Sequence, residues 1–165
     1  MSAQTADHAD SPARPRAFES VVYGGLTVFV LDGLAAVTNS GFRGVSPVRV
    51  FQYVASGLLG PASFEGGWAT FMLGVFVHFL VAFSAAAVYY LLSLKLPFLI
   101  GRAVWCGPVY GVAVYFFMSR VVVPLSSARQ LPFSPAQLII HIFCVGLPVA
   151  LLARRAARAQ QSREI

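Results

Sequence analysis

Four long apolar stretches separated by short polar breaks organise this chain. They run Val21 to Asn39, Trp68 to Leu94, Arg102 to Val123 and Pro135 to Ala153. A helix needs about 20 mostly apolar residues to cross the hydrocarbon core of a bilayer. Each stretch is of that order, and the second is long enough to tilt. Lipid offers no partner to unpaired backbone groups, so helices are the default, and the stretches are too continuous for barrel strands. The breaks are chemically marked. Leu96 and Pro97 lie between the second and third stretches, in a short turn with Lys95 and Arg102. Pro124, Ser126, Ser127, Pro132 and Ser134 mark the next loop. Ser134 followed by Pro135 predicts an N-cap with proline at the first helical position.

Ser46 and Pro47 repeat that device at the head of a shorter segment, residues 47–59. Val48, Phe51, Ala55, Leu58 and Leu59 fall on one side of a helix, with Arg49, Gln52, Tyr53 and Ser56 toward the other. The period is helical but the length is too short to cross. The pattern predicts an amphipathic helix on the membrane face or packed on the bundle, ended by Gly60 and Pro61. It serves as a connector or as a lid over a cavity mouth.

Composition agrees with a membrane reading. Of 165 residues, 58% are hydrophobic and 11% charged, with a mean hydropathy of +0.73. A soluble domain carries about 25% charged residues. The expected fold is all-α: an integral membrane four-helix bundle with one short interfacial helix. Residues 1–19 read as a disordered cytoplasmic tail and 20–155 as the membrane domain. Residues 156–165 read as a basic cytoplasmic tail. The first apolar stretch has no small-residue cleavage site after it, so it reads as an uncleaved span.

The net charge of +6 looks like a nucleic-acid signal. Yet Arg154, Arg155, Arg158 and Arg163 follow directly on the last apolar run, where basic clusters meet anionic headgroups and set orientation. No nucleic-acid partner is expected. With both termini inside, Arg14, Arg16, Lys95, Arg102, Arg154, Arg155, Arg158 and Arg163 are cytoplasmic. Arg43, Arg49, Arg120 and Arg129 are outside. That two-to-one bias favours a multi-pass protein of the cell inner membrane with both ends cytoplasmic.

Ionisable groups within spans are costly and are functional candidates by default. They are Asp32, His78 and His141, with Arg120 near a span end. At 1.5 Å per residue, Asp32 lies about 10 Å, His141 about 9 Å and His78 about 15 Å from the outer boundary. Four groups on four helices therefore share the outer half. Their faces agree with their depths. Gly25, Asp32, Ala36 and Asn39 form one small and polar stripe, and Thr70, Gly74, His78, Ala82, Ala85 and Tyr89 a second. Gln137, His141, Cys144 and Pro148 form a third, and Gly107 with Gly111 a small-xxx-small pair. Small residues at such spacing let membrane helices approach closely. The groups are expected to point inward, with Asp32 pairing to Arg120 or His141.

Such a cluster holds a bundle in register, or lines an outward cavity that takes a proton, a cation or a polar solute. His78 and His141 also suggest bis-histidine haem, although their depths differ by about 6 Å. Cys106 and Cys144 match no zinc or haem-attachment spacing, and no metal site is expected. No HExxH, phosphate loop, GxSxG or carboxylate pair is present, so no catalytic residue is assigned. Glu65 sits at the outer mouth before the second span. Trp68, Tyr89, Tyr90 and Trp105 suit an interfacial aromatic belt.

The stretches RGVSPVRVFQYVASGLLG (43–60), HFLVAFSAAAVYY (78–90), GPVYGVAVYFFM (107–118) and HIFCVGLPVALLARR (141–155) resemble small bacterial inner-membrane proteins and, more remotely, the YagU-like family. The resemblance covers roughly residues 20–155. It implies a multi-pass inner-membrane location, no defined activity, and Asp32, His78 and His141 as the family-like polar positions. The leading functional expectation is a structural or accessory membrane component. A small transporter or channel subunit is second, and a haem-binding subunit third. The bilayer is the expected partner, with a homo-oligomer or another membrane protein left open.

Overall fold

The computed structural model describes residues 16–162. Most of the expected N-terminal tail, with Arg14, and Arg163 at the other end lie outside the described residues. Five helices carry the architecture: α1 (Glu19–Gly41), α2 (Pro47–Leu59), α3 (Gly67–Lys95), α4 (Ala103–Leu125) and α5 (Pro135–Gln160). Among the described residues there is no strand. All but α2 are long and apolar enough to cross a membrane. They match the four apolar stretches to within a few residues, except where α5 runs on past Ala153.

The local signals act where they stand. The Ser46 side chain accepts from the Arg49 N–H at 3.4 Å, and that of Ser134 from the Gln137 N–H at 3.3 Å. Each serine satisfies one of the four donors a helix start leaves free, and the proline after it removes another. Pro97 separates α3 from a one-turn helix, Phe98–Gly101. Two stretches of wider π-type turn, Met118–Val122 and His141–Gly146, each end two residues before a proline, Pro124 and Pro148. Proline has no N–H to give and its ring presses on the carbonyl four residues back, so the helix widens ahead of it.

α1 lies between α3 and α5, and α4 packs on α5. The α4–α5 crossing is made by glycines. A Cβ built on Gly107 would sit 2.9 Å from Cα of Leu147. One on Gly111 would strike the His141 carbonyl, and one on Gly146 the Gly107 carbonyl and the Gly111 backbone. The two backbones touch, so the predicted small-xxx-small pair is met by a third glycine on the facing helix. α3 and α4 are joined by tyrosines: Tyr110 Oη donates to the Ala85 carbonyl at 2.7 Å, with its ring against Tyr89.

Three expectations need correction. Tyr89 is no belt residue: it is fully buried, and its hydroxyl donates to the Leu99 carbonyl at 3.0 Å. Trp68 and Trp105, by contrast, are exposed. The chain after residue 155 is no separate tail, because α5 continues to Gln160 with Ala156 and Ala157 buried against α1 and the α3–α4 turn. Arg155 and Arg158 stay on the exposed side of that extension. At the other end, helix already begins at residue 17, inside the expected tail.

The third correction concerns α2, which packs on α3 with Gln52 and Ser56 of its polar side turned inward beside Phe51 and Ala55. Gln52, Ala55 and Ser56 are buried, whereas Leu58 and Leu59 are exposed. Gln52 Nε2 donates to the Gly67 carbonyl at 3.1 Å and to Thr70 Oγ1 at 3.3 Å. Gly74 lets the α2 backbone in, since any Cβ there would collide with the Phe51 carbonyl. Gly74 is seven residues into α3, so the crossing lies about 10 Å below its start.

Candidate functional site

The polar groups predicted within the spans fall into two places. On one side of α1, His78 of α3 reaches across: its Nε2 lies 3.2 Å from the Phe29 carbonyl. A carbonyl only accepts, so Nε2 carries the proton. The ring packs between Phe29 and Phe51, with centroids at 5.4 and 5.8 Å. Gly33 makes room for it, as a Cβ there would come within 3.3 Å of Nε2. His78 thus ties α3 to α1 beneath α2. With Nε2 on the Phe29 carbonyl and aromatic rings on both sides, it fastens the two helices.

On the other side, α1 faces α5. Asn39 Nδ2 donates to Gln137 Oε1 at 3.4 Å near the helix ends. One turn further along α5, His141 Nδ1 lies 2.9 Å from the Gln137 carbonyl, which places the proton on Nδ1. Asp32 Oδ1 is 4.0 Å from that nitrogen. Both side chains are 14% exposed. Oδ1 itself is buried and makes no hydrogen bond among the described residues. The Tyr115 ring of α4 stands edge-on to His141 with centroids 5.5 Å apart, and its hydroxyl accepts from the Ser134 N–H at 3.0 Å. Cys144 lies within electrostatic reach of Asp32.

Arg120 does not join this group. It is exposed at the end of α4 and, among the described residues, has no ion pair or hydrogen bond. A guanidinium near a span end reaches the interface along its own stem, which removes any need for a buried carboxylate. The candidate set Asp32, His78, Arg120 and His141 therefore divides. Asp32 and His141 meet, His78 sits behind α1 beside Gly33, and Arg120 stands apart. Among the described residues no group of three His, Cys, Asp or Glu side chains is placed to hold a metal ion.

Beyond this seam, α2 is tied to the segment 126–134. Tyr53 Oη donates to the Arg129 carbonyl at 2.8 Å, and the Ser127 N–H donates to the Gly57 carbonyl at 3.0 Å. The Arg49 guanidinium lies over the Phe64 ring at 5.4 Å. Burial pushes the Tyr53 hydroxyl above its ordinary pKa. Sequence reasoning missed Tyr53, Gln52 and Tyr110 as ties. The available signal was a polar residue on the same helical stripe as small residues, as in Gln52, Ala55 and Ser56.

Comparison with protein-family models, with curated proteins and with solved structures gave no match.

Proposed function

We propose that this chain is a structural or accessory component of a cell membrane, crossing it four times with both ends on the cytoplasmic face. α2 then lies at the outer boundary as part of a cap. One observation carries the reading: four polar side chains within the long helices, His78, Tyr89, Tyr110 and Asn39, fasten one element to another. His78 binds the α1 backbone, Tyr110 the α3 backbone, Tyr89 the α3–α4 turn, and Asn39 the Gln137 side chain. Interhelical bonds of this kind contribute about 0.6 kcal/mol each in membranes and select which helices are neighbours.

Orientation rests on charge. The α3–α4 turn and the end of α5 carry Lys95, Arg102, Arg154, Arg155 and Arg158, which suits the cytoplasmic face and its anionic headgroups.

Reconstitution tests the role. Lipid vesicles containing the purified protein are predicted to hold an imposed proton or potassium gradient as well as protein-free vesicles. A leak that Asp32→Asn abolishes would replace this reading with that of a transporter or channel subunit.

A further inference from the structure

We propose that Asp32 and His141 form a proton-binding site that exchanges with one side of the membrane only, the side on which α5 begins. The inference rests on the membrane-spanning reading above and goes beyond it, because it gives one pair a role that fastening does not explain.

The pair differs from every other polar contact between the long helices. His78, Tyr89, Tyr110 and Asn39 each meet a partner at 2.7–3.4 Å. Asp32 Oδ1 is buried with no hydrogen bond among the described residues, and its nearest cationic candidate is 4.0 Å away. A carboxylate left this way is costly in a low dielectric, and one proton relieves it. The proton sits on a carboxyl oxygen, giving a neutral acid beside a neutral imidazole. Otherwise it sits on His141 Nε2, giving imidazolium beside carboxylate. Nδ1 already holds its own proton for the Gln137 carbonyl, so Nε2 is the nitrogen free to gain one. Hydronium supplies the proton and leaves as water, and nothing else is consumed.

The surroundings add no competing charge. Across α1 from the pair, His78 of α3 stands beside Gly33 with Nε2 on the Phe29 carbonyl. α4 contributes Tyr115, whose ring faces His141, and α5 contributes Cys144 and Gln137. From α2, Phe51 reaches Gly33. Arg49 and Arg129 belong to the cap, and Arg120 is exposed.

Sidedness comes from the seam between α1 and α5. Toward the start of α5 it is polar in steps, from His141 to the Gln137 backbone, then the Gln137 side chain and Asn39. Toward the other side it closes. Val28, one turn before Asp32, is buried together with Val145 and Val149, which lie one and two turns beyond His141, and with Ala153. Water and protons have polar partners from one direction and a packed apolar plug in the other. Such a site senses or stores a proton without conducting it.

The experiment is infrared difference spectroscopy on the full chain in oriented vesicles. The pH is stepped on one side between about 8 and about 3, a range that brackets free carboxylate and imidazole titration. A carbonyl band of a protonated carboxyl, or the ring bands of imidazolium, is expected when the α5-start side is acidified and not when the opposite side is. Asp32→Asn removes the carbonyl band. His141→Gln shifts the proton concentration at which it appears by about tenfold or more, the size of a close charge pair. Should Asp32→Asn fail to fold, the His141→Gln shift and the sidedness still decide. Neither a carboxyl band nor an imidazolium band at any pH, a band that follows the opposite side, or one indifferent to loss of the partner residue overturns the proposal and leaves the spanning reading intact. Chain stripped from the same vesicles by carbonate overturns both.

Discussion

Asp32 Oδ1 and His141 Nδ1 lie 4.0 Å apart across the α1–α5 seam, close enough to feel each other's charge and too far to share a hydrogen bond. The looser contact is set by backbone. His141 opens the widened turn ahead of Pro148, its Nδ1–H is turned onto the Gln137 carbonyl, and its own carbonyl is pressed against Gly111. The imidazole is held by α5 and α4, and the carboxylate of α1 comes alongside.

The glycine crossing gives the strongest stability prediction. Gly146→Ala places a methyl group on the Gly107 carbonyl and the Gly111 backbone, and Gly111→Ala places one on the His141 carbonyl. Neither obstacle can rotate away. Each substitution should cost about 3 kcal/mol or more, the upper range for overpacking. Gly41→Ala, which meets nothing within 4 Å, should be neutral or slightly stabilising. Thermal unfolding in detergent micelles separates the three.

Hydrogen bonds between helices should behave as modest, separate contributions. Tyr110→Phe removes the donor to Ala85 and keeps the ring against Tyr89. It should cost about 1 kcal/mol. Ser134→Ala, which strips the α5 cap, should cost about 1 kcal/mol as well. Because the two sites share no partner, the double variant should show the sum in the same melts.

Much of this architecture can be read directly from the chain, and the reasons are local. Apolar length is a one-dimensional property, so α1, α3, α4 and α5 are legible as four stretches. Ser46–Pro47 and Ser134–Pro135 cap helices through bonds spanning three residues, which a reader of sequence can see. What stays hidden depends on a second helix. Gly146 looks like any glycine in a greasy run until Gly107 and Gly111 are brought against it. Tyr89 reads as interfacial until Leu99 folds back to take its hydroxyl. α2 misleads for another reason: its periodicity is right, but its polar side meets α3 rather than water, so Gln52 and Ser56 turn inward. In the candidate site, depth along the helices brought Asp32 and His141 together correctly. Rotation about the helix axes, invisible to depth, put His78 behind α1 and Arg120 outside.

The cap should loosen at alkaline pH. Burial raises the Tyr53 pKa above that of the unfolded chain, so the protonated hydroxyl is the form that folding favours. Its contribution is fully present below the unfolded value of about 10 and is lost as pH rises through the folded value. Ionisation also removes the donor to Arg129. Between about pH 9 and about pH 11, wild type should lose more protection of the 126–134 segment in hydrogen exchange than Tyr53→Phe does.

The account as a whole stands on four crossings, and labelling of single cysteines from one side of the membrane tests it most directly. In a background with Cys106 and Cys144 replaced, Phe42→Cys and Ser127→Cys lie at one end of the bundle, and Gly101→Cys and Ser162→Cys at the other; all four positions are exposed. In intact cells an impermeant maleimide should label Phe42→Cys and Ser127→Cys and reach Gly101→Cys and Ser162→Cys only after lysis. Labelling of Ser127→Cys and Gly101→Cys from the same side would contradict it.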